Sequence, residues 1–549
     1  MAFTENTYNF TNLVDLVLSN NRGISDDKPV YIDSNTDETV RYGELKTLIR
    51  QATAGFRRVG LKRGDCVCVY SPNHLGVPPI FLSVLASGGH VSPTNPAFNA
   101  QELEKLLVMS RAKYLIAHSF NLDKALEAAK SVGIPVSNVW CIDNDPKKRA
   151  KHWKEVLANS TEEADPIKYT AAECKNTLAY LCFSSGTTGK YSPPKGVKIS
   201  HHNFIANAVE LDQLVQSSSI LQNNGNLLAV VPLFHIMGLF RFINMSLFEG
   251  RTVVLMAQYE LEKMCQMIDK HKVTSVVAVP PMLLHLLNSP QIVDKYDFSH
   301  VETFHVGAAP VSLAMAEAIV KKFQRPVLQG YGMTEVASVL TAQTPETYMP
   351  GSVGRMIGGI DAKVVDENGK DLPAGERGEI CIKGPIVMLG YLDNPKATAE
   401  IIDSNGYLHT GDIGYVDKLG NWFIVDRCKE LIKYNAYQIA PAELEDTLLK
   451  CSLVSDAAVI GIFDEKKQTE VPRAYISLSP SGKALEEKEA IKQIHSFMNS
   501  KVINYKQLRG GIRLIDAVPK SVSGKILRKD LRELYRKEKE EQQISKSKL

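Results

Sequence analysis

The chain has 549 residues, of which 44% are apolar and 23% are charged. At roughly 100–200 residues per domain it is long enough for about three to five structural units, and its composition excludes a largely disordered, collagen-like or coiled-coil protein. The formal net charge of +3 gives no bulk signal for nucleic-acid binding. The nine cysteines form no regular framework, which indicates buried reduced thiols.

The sequence predicts neither a membrane span nor a secretory signal. The longest apolar stretch, residues 227–240, is broken by Pro232 and His235 and falls short of the roughly 18 residues that suggest a spanning helix. The first residues lack the basic and apolar regions of a signal peptide. Residues 547–549 read Ser-Lys-Leu, the tripeptide that the peroxisomal import receptor binds, so we expect a peroxisomal protein.

Apolar runs alternate with helical periodicity through most of the chain, which is typical of an α/β fold with mostly parallel sheets. A buried strand is predicted at residues 177–183, followed by a Ser/Gly/Thr-rich loop and a helix with one apolar face at residues 204–215. Further strand–helix pairs are predicted from residues 273 and 304. In such sheets ligands bind at the carboxyl ends of the strands, so we expect the site in the loops after them.

The pattern changes in the last third of the chain. From about Gly351, short strands separated by Gly, Asn and Asp turns predict a small antiparallel β-barrel or sheet. After about Asp426, a helical segment and a charged C-terminal helix predict a separate α+β lid. We therefore predict two domains. Residues 1–427 would form an α/β body of two doubly wound sheets plus the small β-barrel, and residues 428–549 a mobile lid.

The first candidate for ligand binding is the loop 184–189, Ser-Ser-Gly-Thr-Thr-Gly, directly after the predicted strand. Its glycines permit a close backbone approach, and its N–H groups and hydroxyls can hold phosphate oxygens, with Lys195 adding a positive charge. A Walker A loop needs Gly-Lys followed by Ser or Thr, and Tyr191 occupies that place, which disfavours a P-loop NTPase. Taken alone, the loop is equally compatible with a plain surface turn.

Four further motifs follow this loop in order. They are Gln-Gly-Tyr-Gly-Met-Thr-Glu at 329–335, Tyr-Leu-His-Thr-Gly-Asp at 407–412, Asp-Arg-Cys-Lys-Glu-Leu-Ile-Lys at 426–433 and Pro-Lys-Ser-Val-Ser-Gly-Lys at 519–525. Together the five motifs resemble the set found in the adenylate-forming superfamily. The resemblance is strongest to the acid–CoA ligases around 4-coumarate–CoA ligase, to medium-chain acyl-CoA synthetases and to beetle luciferases, and it runs from about Tyr42 to Lys529.

The resemblance implies a two-step reaction, in which a carboxylate and ATP give an acyl-adenylate and pyrophosphate, and the thiol of coenzyme A then attacks the adenylate. Because the first step brings an anionic carboxylate against a polyanion, donors and cations should dominate the site. The implied cofactors are ATP, Mg²⁺ and coenzyme A as co-substrate. The expected partners are a small-molecule carboxylic acid and the peroxisomal import receptor, with no nucleic acid.

The resemblance also implies a role for particular residues of the body, which would bind the acid and ATP. Thr187 and Glu335 would hold Mg²⁺, and Thr334 would reach the α-phosphate. Tyr331 would stack on the adenine, and Asp412 would accept hydrogen bonds from both ribose hydroxyls. The full set of expected nucleotide-binding residues is Ser184, Ser185, Gly186, Thr187, Thr188, Gly189, Lys195, Gly307, Ala308, Ala309, Gln329, Gly330, Tyr331, Gly332, Thr334, Asp412 and Arg427.

Four residues are expected to act on the reacting groups. Lys525 would place its charge between the carboxylate and the α-phosphate. His235 would gate the path to the reacting carboxylate, although its apolar surroundings are equally typical of a core histidine. When the lid rotates about a hinge at residues 428–429, Lys433 and Gln438 would take the place of Lys525.

The resemblance implies an acid pocket of mainly apolar residues without a cation for a second carboxylate. We therefore expect an apolar acid, either aromatic like 4-coumarate or a medium-chain fatty acid. Two alternatives stay open, a luciferase-type oxygenase that shares every motif and a catalytically inactive acyl- or nucleotide-binding homologue. The expected pocket residues are His235, Met237, Val306, Ala308, Gly330, Val336 and Ala337.

Overall fold

The computed structural model describes residues 10–184, 194–219, 221, 225–309, 311–435, 437–465, 467–521 and 524–547. Within these residues no helix is both long enough and apolar enough to cross a bilayer. The cysteines form no disulfide there, and eight of the nine are buried, as the composition predicted.

The strands of the described chain are short in the body and longest in the lid. They are β1 (Pro29–Asp33), β2 (Thr39–Arg41), β3 (Cys66–Tyr70), β4 (His90–Thr94), β5 (Ala112–Ala117), β6 (Val139–Cys141), β7 (Lys151–His152), β8 (Leu178–Ser184), β9 (Lys195–Ser200), β10 (Asn226–Ala229), β11 (Val253–Leu255), β12 (Val273–Ala278), β13 (Thr303–Val306), β14 (Val327–Tyr331), β15 (Thr341–Ala342), β16 (Gly354–Met356), β17 (Asp361–Val365), β18 (Gly378–Lys383), β19 (Leu408–Val416), β20 (Asn421–Arg427), β21 (Ile432–Tyr434), β22 (Tyr437–Ile439), β23 (Val454–Asp464), β24 (Thr469–Leu478) and β25 (Ile512–Leu514).

Helices separate most of the body strands. They are α1 (Leu13–Val17), α2 (Tyr42–Arg58), α3 (Val77–Ala86), α4 (Ala100–Ser110), α5 (Leu122–Ser131), α6 (Trp153–Leu157), α7 (Ala171–Asn176), α8 (His201–Gln216), α9 (Ile236–Gly238), α10 (Ser246–Glu249), α11 (Leu261–Lys270), α12 (Pro280–Asn288), α13 (Pro290–Val293), α14 (Leu313–Phe323), α15 (Pro395–Ala399), α16 (Pro441–Leu449), α17 (Pro480–Lys483), α18 (Glu487–Lys501) and α19 (Arg528–Ser547). A π-helical stretch, Leu239–Met245, joins α9 to α10.

The first sheet has the strand order β7-β6-β5-β3-β4-β8-β9 and is parallel except at the β8–β9 edge. Its central strand β3 reads Cys-Val-Cys-Val-Tyr and is buried along its whole length, because helices cover both faces of a parallel sheet. The predicted strand at 177–183 is confirmed as β8. The predicted helix follows as α8, where Ser200 caps the backbone N–H of Asn203 at 3.1 Å.

The second sheet contains 13 strands in the order β17-β18-β19-β20-β16-β15-β14-β13-β12-β10-β11-β1-β2. From β14 to β1 in this order, each strand pairs parallel with the next. On the other side of β14, β15 pairs antiparallel with it, and the strands beyond β15 are also antiparallel. The region for which a small β-barrel was expected is therefore an extension of the second sheet. Its strands reach the same edge at which β12, β13 and β14 end.

The lid has its own hydrophobic core. The long hairpin β23–β24 pairs with β25, and the helices α16 and α18 pack against this sheet around Leu444, Ile476 and Ile494. The lid touches the body through the turn before α19. Gly524, at a φ of +80°, lies so close to the body that an added Cβ would be 3.0 Å from Cδ of Pro281. This contact holds the end of the last motif over the C-terminal end of β12.

A buried ion pair connects three elements of the lid. The Nη2 atom of Arg528 on α19 donates hydrogen bonds to both carboxylate oxygens of Glu445 on α16, at 2.7 and 2.8 Å. Oε1 of Glu445 also accepts the N–H of Val459 on β23 at 2.8 Å. The two side chains are only 15% and 10% exposed, so solvent screens the pair weakly.

We predict that Arg528→Met destabilises the lid by about 3–5 kcal/mol, because it leaves the Glu445 carboxylate buried without its partner. Adding Glu445→Gln should recover much of this loss, since an amide oxygen still accepts the Val459 N–H without a buried charge. Urea unfolding followed by tyrosine fluorescence measures both. The more exposed pair Lys363–Asp371, with side chains 27% and 67% exposed, is the control, and Lys363→Met should cost under about 1 kcal/mol. A double variant as unstable as Arg528→Met would contradict the explanation.

Candidate active site

The candidate site lies where three parallel neighbours of the second sheet end. The strands β12, β13 and β14 end at Ala278, Val306 and Tyr331, and the chain continues as Val-Pro-Pro after β12, Gly-Ala-Ala after β13 and Gly-Met after β14. Such a strand edge is the usual ligand site of an open α/β sheet. The predicted residues Ala309, Gln329, Gly330 and Thr334 all lie at this edge.

The loop after β14 has little room for side chains on its backbone. A Cβ on Gly332 would lie 1.7 Å from the carbonyl oxygen of Ser338, so only glycine fits there. Ala337 and Ser338 have φ angles of +56° and +116°, which are unfavourable for side-chain-bearing residues. This tight loop fixes a 3₁₀ turn, Thr334–Val336, that carries the predicted metal ligand Glu335.

Glu335 is buried and held by a residue that sequence analysis missed. The hydroxyl of Tyr391 donates to Oε1 of Glu335 at 2.9 Å, and the Nζ of Lys195 lies 4.7 Å from the centre of the Tyr391 ring. Lys195 in turn pairs with Ser184 across the β8–β9 ladder. Tyr391 thus connects the carboxylate to the strand that leads into the predicted phosphate loop. No sequence motif includes Tyr391, because its contact is with Glu335, which lies 56 residues earlier in the chain.

Asp412 and Arg427 face one another across the β19–β20 ladder. Nε of Arg427 lies 3.4 Å from Oδ1 of Asp412, and the hydroxyl of Tyr331 donates to Oδ2 at 2.5 Å. Burial raises the pKa of Asp412, and the charge of Arg427 opposes that rise. The three residues predicted to hold the adenosine are therefore in direct contact.

The strand that carries Asp412 is fixed from its other side. His409 Nδ1 lies 2.8 Å from a carboxylate oxygen of Glu379, and the second oxygen of Glu379 accepts the N–H of Gly411 at 3.1 Å. Because both hydrogen bonds join β18 to β19, they hold the 407–412 motif against its neighbouring strand.

The ammonium of Lys525, in the lid, lies near the charges of Arg427, Asp412 and Glu335. Burial lowers the pKa of its ammonium, as does the charge of Arg427, while Asp412 and Glu335 act in the opposite direction. The turn that presents it is closed by two bonds, from Ser521 N–H to the Lys525 carbonyl at 2.8 Å and from Lys525 N–H to the Ser521 hydroxyl at 3.2 Å. These hydrogen bonds join the two described ends of the turn, Ser521 and Lys525.

His235 lies on the same side as Lys525. It caps the short helix α9, where its Nδ1 accepts the N–H of Met237 at 3.4 Å. Burial, and then the charge of Lys525, lowers the pKa of His235 to about 4, so the imidazole is neutral and its Nε2 carries the proton. A neutral donor beside Lys525 differs from a core histidine enclosed by apolar side chains.

The predicted pocket residues fall into two groups. Met237 lies across the strand-end loop, since a Cβ on Gly307 would be 3.3 Å from its Sδ, and Ala308 has a φ of +67°. Val336 and Ala337, by contrast, have no exposed surface, and Val336 packs in a core cluster. The structure thus places Met237 and Ala308 beside the site, and we call these two residues the Met237–Ala308 wall. The side chain of Val336 is not part of this wall.

Other predicted site residues lie elsewhere or outside the described chain. Lys433 and Gln438 pair across the β21–β22 hairpin and are exposed, and Gln438 donates to Glu367 of the body. They are therefore not among the residues around Lys525. The predicted phosphate-loop residues Ser185, Gly186, Thr187, Thr188 and Gly189 lie outside the described residues, as do Lys548 and Leu549 of the predicted peroxisomal tripeptide.

The small second domain thus presents Lys525 to the residues of the α/β body that the sequence motifs predict to bind a nucleotide. The chain belongs to the AMP-binding enzyme family, whose model matches residues 20–392, and the model of the AMP-binding enzyme C-terminal domain matches residues 443–525. It is 36% identical over 513 residues to 4-coumarate–CoA ligase 1 of Petroselinum crispum, covering 92% of this chain and 91% of that one. It is also 36% identical over 526 residues to the probable 4-coumarate–CoA ligase 1 of Dictyostelium discoideum, covering 92% of each.

Solved structures share the fold along nearly the whole chain. ATP-bound MatB from Rhodopseudomonas palustris has a TM-score of 0.85 at 25% identity, covering 96% of this chain and 99% of that one. The anthranilate CoA ligase AuaEII in complex with anthranoyl-AMP has a TM-score of 0.85 at 22% identity, covering 97% and 99%. The resemblance to the acid–CoA ligase branch and the prediction of an AMP-forming acid–CoA ligase are thereby confirmed.

We predict that Tyr391→Phe raises the KM for ATP by roughly tenfold, because a hydrogen bond to a buried charged group is lost and Glu335 can turn away. The turnover number at saturating ATP should change less. Steady-state kinetics of pyrophosphate release measures both. Tyr407→Phe is the matched control, since its hydroxyl bonds the surface carboxylate of Asp361. A fall in turnover number with an unchanged KM would show that Tyr391 does not position Glu335.

Proposed function

We propose that this acid–CoA ligase acts on an apolar aromatic acid of the 4-coumarate type, with a medium-chain fatty acid as the second candidate. The observation that carries the proposed chemistry is the position of Lys525, within reach of Glu335, Asp412 and Arg427 and beside the neutral His235. The Met237–Ala308 wall next to it supports an apolar acid. The 4-coumarate–CoA ligase names of the relatives favour the aromatic class.

In the first step the carboxylate attacks the α-phosphorus of ATP, forming the acyl–O–P bond and releasing pyrophosphate. Asp412 would accept the ribose hydroxyls, and Arg427 would donate to the ribose or phosphate. The Lys525 ammonium would stabilise the negative charge that builds up between carboxylate and α-phosphate. No proton has to move in this step, which agrees with a site of donors and cations without a general base.

The residues present also fit a magnesium ion. Oε1 of Glu335 accepts the Tyr391 hydroxyl, and no hydrogen bond or ion pair of the described residues involves Oε2. A carboxylate oxygen held in place beside phosphates is the kind of ligand that Mg²⁺ takes. When bound, Mg²⁺ would supply charge neutralisation at the phosphate oxygens. Glu335, together with Thr187, would be its protein ligands.

For the second step the thiol of coenzyme A needs access to the adenylate carbonyl, and Lys525 covers that region in this conformation. We therefore propose that the lid turns about residues 428–429, directly after Arg427 at the end of β20. This motion would withdraw Lys525 and bring the exposed Lys433 and Gln438 towards the nucleotide. The thiol would then lose its proton to solvent and its sulfur would form the C–S bond of the thioester, while AMP would leave with the pair of electrons of the broken C–O bond.

The first experiment measures pyrophosphate release and acyl-CoA formation over a panel of acids, from short and medium fatty acids through phenylacetate to cinnamate and 4-coumarate. We expect CoA-dependent product with at least one apolar acid. Adenylate with light or oxygen consumption and no acyl-CoA would support the luciferase-type alternative. ATP binding without pyrophosphate release from any acid would support an inactive homologue. The peroxisomal location stays a prediction.

We predict that Lys525→Ala reduces adenylation by at least about 100-fold, because no other cation replaces it between the two anions. The attack of coenzyme A on added acyl-AMP should fall less than about threefold, since Lys525 is withdrawn for that step. Single-turnover assays separate the two half-reactions. Lys520→Ala, which removes an ion pair with Asp456 in the same lid segment, controls for local disruption. Equal losses in both half-reactions would contradict the assigned role.

A further inference from the structure

A thiol, an imidazole and a carboxylate come together on strands β18 and β19. Cys381 on β18 pairs directly with His409 on β19, and Glu379 precedes Cys381 by two residues on the same strand. Alternate residues of a strand project to the same face of a sheet, so Glu379 and Cys381 share one face. The Sγ of Cys381, a ring nitrogen of His409 and a carboxylate oxygen of Glu379 all lie within 4.8 Å of one another. Within the residues that the structure describes, no other three side chains of these types converge in this way.

The distances in this group converge on Nδ1 of His409. The Sγ of Cys381 lies 3.4 Å from this nitrogen, and Oε2 of Glu379 lies 2.8 Å from it. In a tetrahedral site with Zn–S of about 2.3 Å and Zn–N or Zn–O of about 2.0–2.1 Å, neighbouring ligand atoms are about 3.3–3.6 Å apart. The sulfur–nitrogen distance already matches this geometry, and the nitrogen–oxygen distance has to open by only about 0.5 Å.

Neighbouring groups hold the histidine and the carboxylate in an orientation that suits a metal. Oε1 of Glu379 accepts the Gly411 N–H at 3.1 Å, so Oε2 is the oxygen that faces His409. On the other side of the ring, Oδ2 of Asp403 lies 3.8 Å from Nε2 of His409. A carboxylate near the second nitrogen favours a proton there, which leaves Nδ1 available as a ligand. Histidines that bind metals commonly have such a carboxylate.

The type of donor and its burial select the metal. Thiolate and imidazole ligands suit Zn²⁺, whereas Mg²⁺ and Ca²⁺ take oxygen ligands. Cys381 is fully buried, and the side chains of Glu379 and His409 are 25% and 31% exposed, so an ion could enter from one side. Burial raises the pKa of the Cys381 thiol to about 12, so this thiol keeps its proton until a metal displaces the proton to solvent. Lys363, opposite Cys381 on β17, is paired with Asp371 at 2.9 Å.

We propose that Glu379, Cys381 and His409 bind one Zn²⁺ ion, with water completing its coordination, and that this ion ties β18 to β19. The site is separate from the magnesium site proposed at Glu335, because it contains a thiol and lies on other strands. Its role is structural, and it takes no part in the chemistry of the proposed reaction.

The ion would strengthen a part of the sheet that leads to the active site. Glu379 bonds the N–H of Gly411, and the Gly411 carbonyl accepts the N–H of Cys428 at 2.8 Å. Asp412 follows Gly411 directly, and Cys428 is the first residue after β20. An ion that binds the folded arrangement and not the unfolded chain stabilises the fold, so Zn²⁺ should raise the midpoint of thermal unfolding.

The test titrates the full-length chain with Co²⁺ in excess Mg²⁺, after dialysis against a chelator. Co²⁺ is a spectroscopic substitute for Zn²⁺, and a thiolate ligand gives it a charge-transfer band in the near ultraviolet. We expect one Co²⁺ per chain with this band, and one equivalent of Zn²⁺ should abolish it. The variant Cys381→Ser should show no band, and Zn²⁺ should raise the thermal midpoint of the wild type but not of this variant.

A second variant keeps the hydrogen bonds and weakens only the metal site. In Glu379→Gln the amide oxygen can still accept the Gly411 N–H, and the amide nitrogen can donate to Nδ1 of His409. This variant should keep the thermal midpoint of the metal-free wild type and bind Co²⁺ roughly tenfold more weakly or less. The matched control is Cys141→Ser, which should keep the band, because the Cys141 thiol contacts the Asp143 carboxylate at 3.2 Å without a third converging ligand.

The absence of a thiolate band would overturn the proposal, as would a band that persists in Cys381→Ser or disappears in Cys141→Ser. If Cys381→Ser does not fold, an unchanged Co²⁺ affinity of Glu379→Gln overturns it instead. Co²⁺ that Zn²⁺ does not displace would overturn the choice of zinc. A thermal midpoint that bound Zn²⁺ leaves unchanged would overturn the structural role.

Discussion

The burial of one ammonium group organises the structure around the site. Lys525 of the lid is buried, and both this burial and the charge of Arg427 disfavour its ammonium, whereas the carboxylates of Asp412 and Glu335 favour it. Because the pKa of Lys525 is lowered in spite of these two carboxylates, an anionic ligand beside it would stabilise the charged form. Three features bring the Lys525 ammonium and the charges around it together. They are the tight loop at Gly332, the pairing of Asp412 with Arg427 across β19 and β20, and the contact between Gly524 and Pro281.

Much of the fold was predictable because it rests on local patterns. The alternation of apolar runs and helical periods predicted β8 with α8, and β12 and β13 with their loops, since parallel strands are buried on both faces. The sequence left open whether the short antiparallel strands form a barrel or a sheet, because whether they close on themselves or extend a neighbouring sheet depends on the β14–β15 pairing. That pairing is made by only two residues on each strand, and no pattern in the sequence specifies it.

The candidate site was predictable where a residue belongs to a motif and not where it acts through space. Lys525 lies near Asp412 and Arg427 although it comes from a distant part of the sequence, and the resemblance had named all three. Tyr391 lies between motifs, and its role follows from a hydrogen bond across the sheet.

The hydrogen bonds that the described residues show for the turn presenting Lys525 lie within the lid. Its two closing bonds join Ser521 to Lys525, and its contact with the body at Pro281 is made by the hydrogen atoms of a glycine. The lysine can therefore leave the site without breaking any bond of its own turn. In the proposed reaction, the charge around Lys525 would change when pyrophosphate departs. Loss of the leaving group and release of the lid would then share one electrostatic cause.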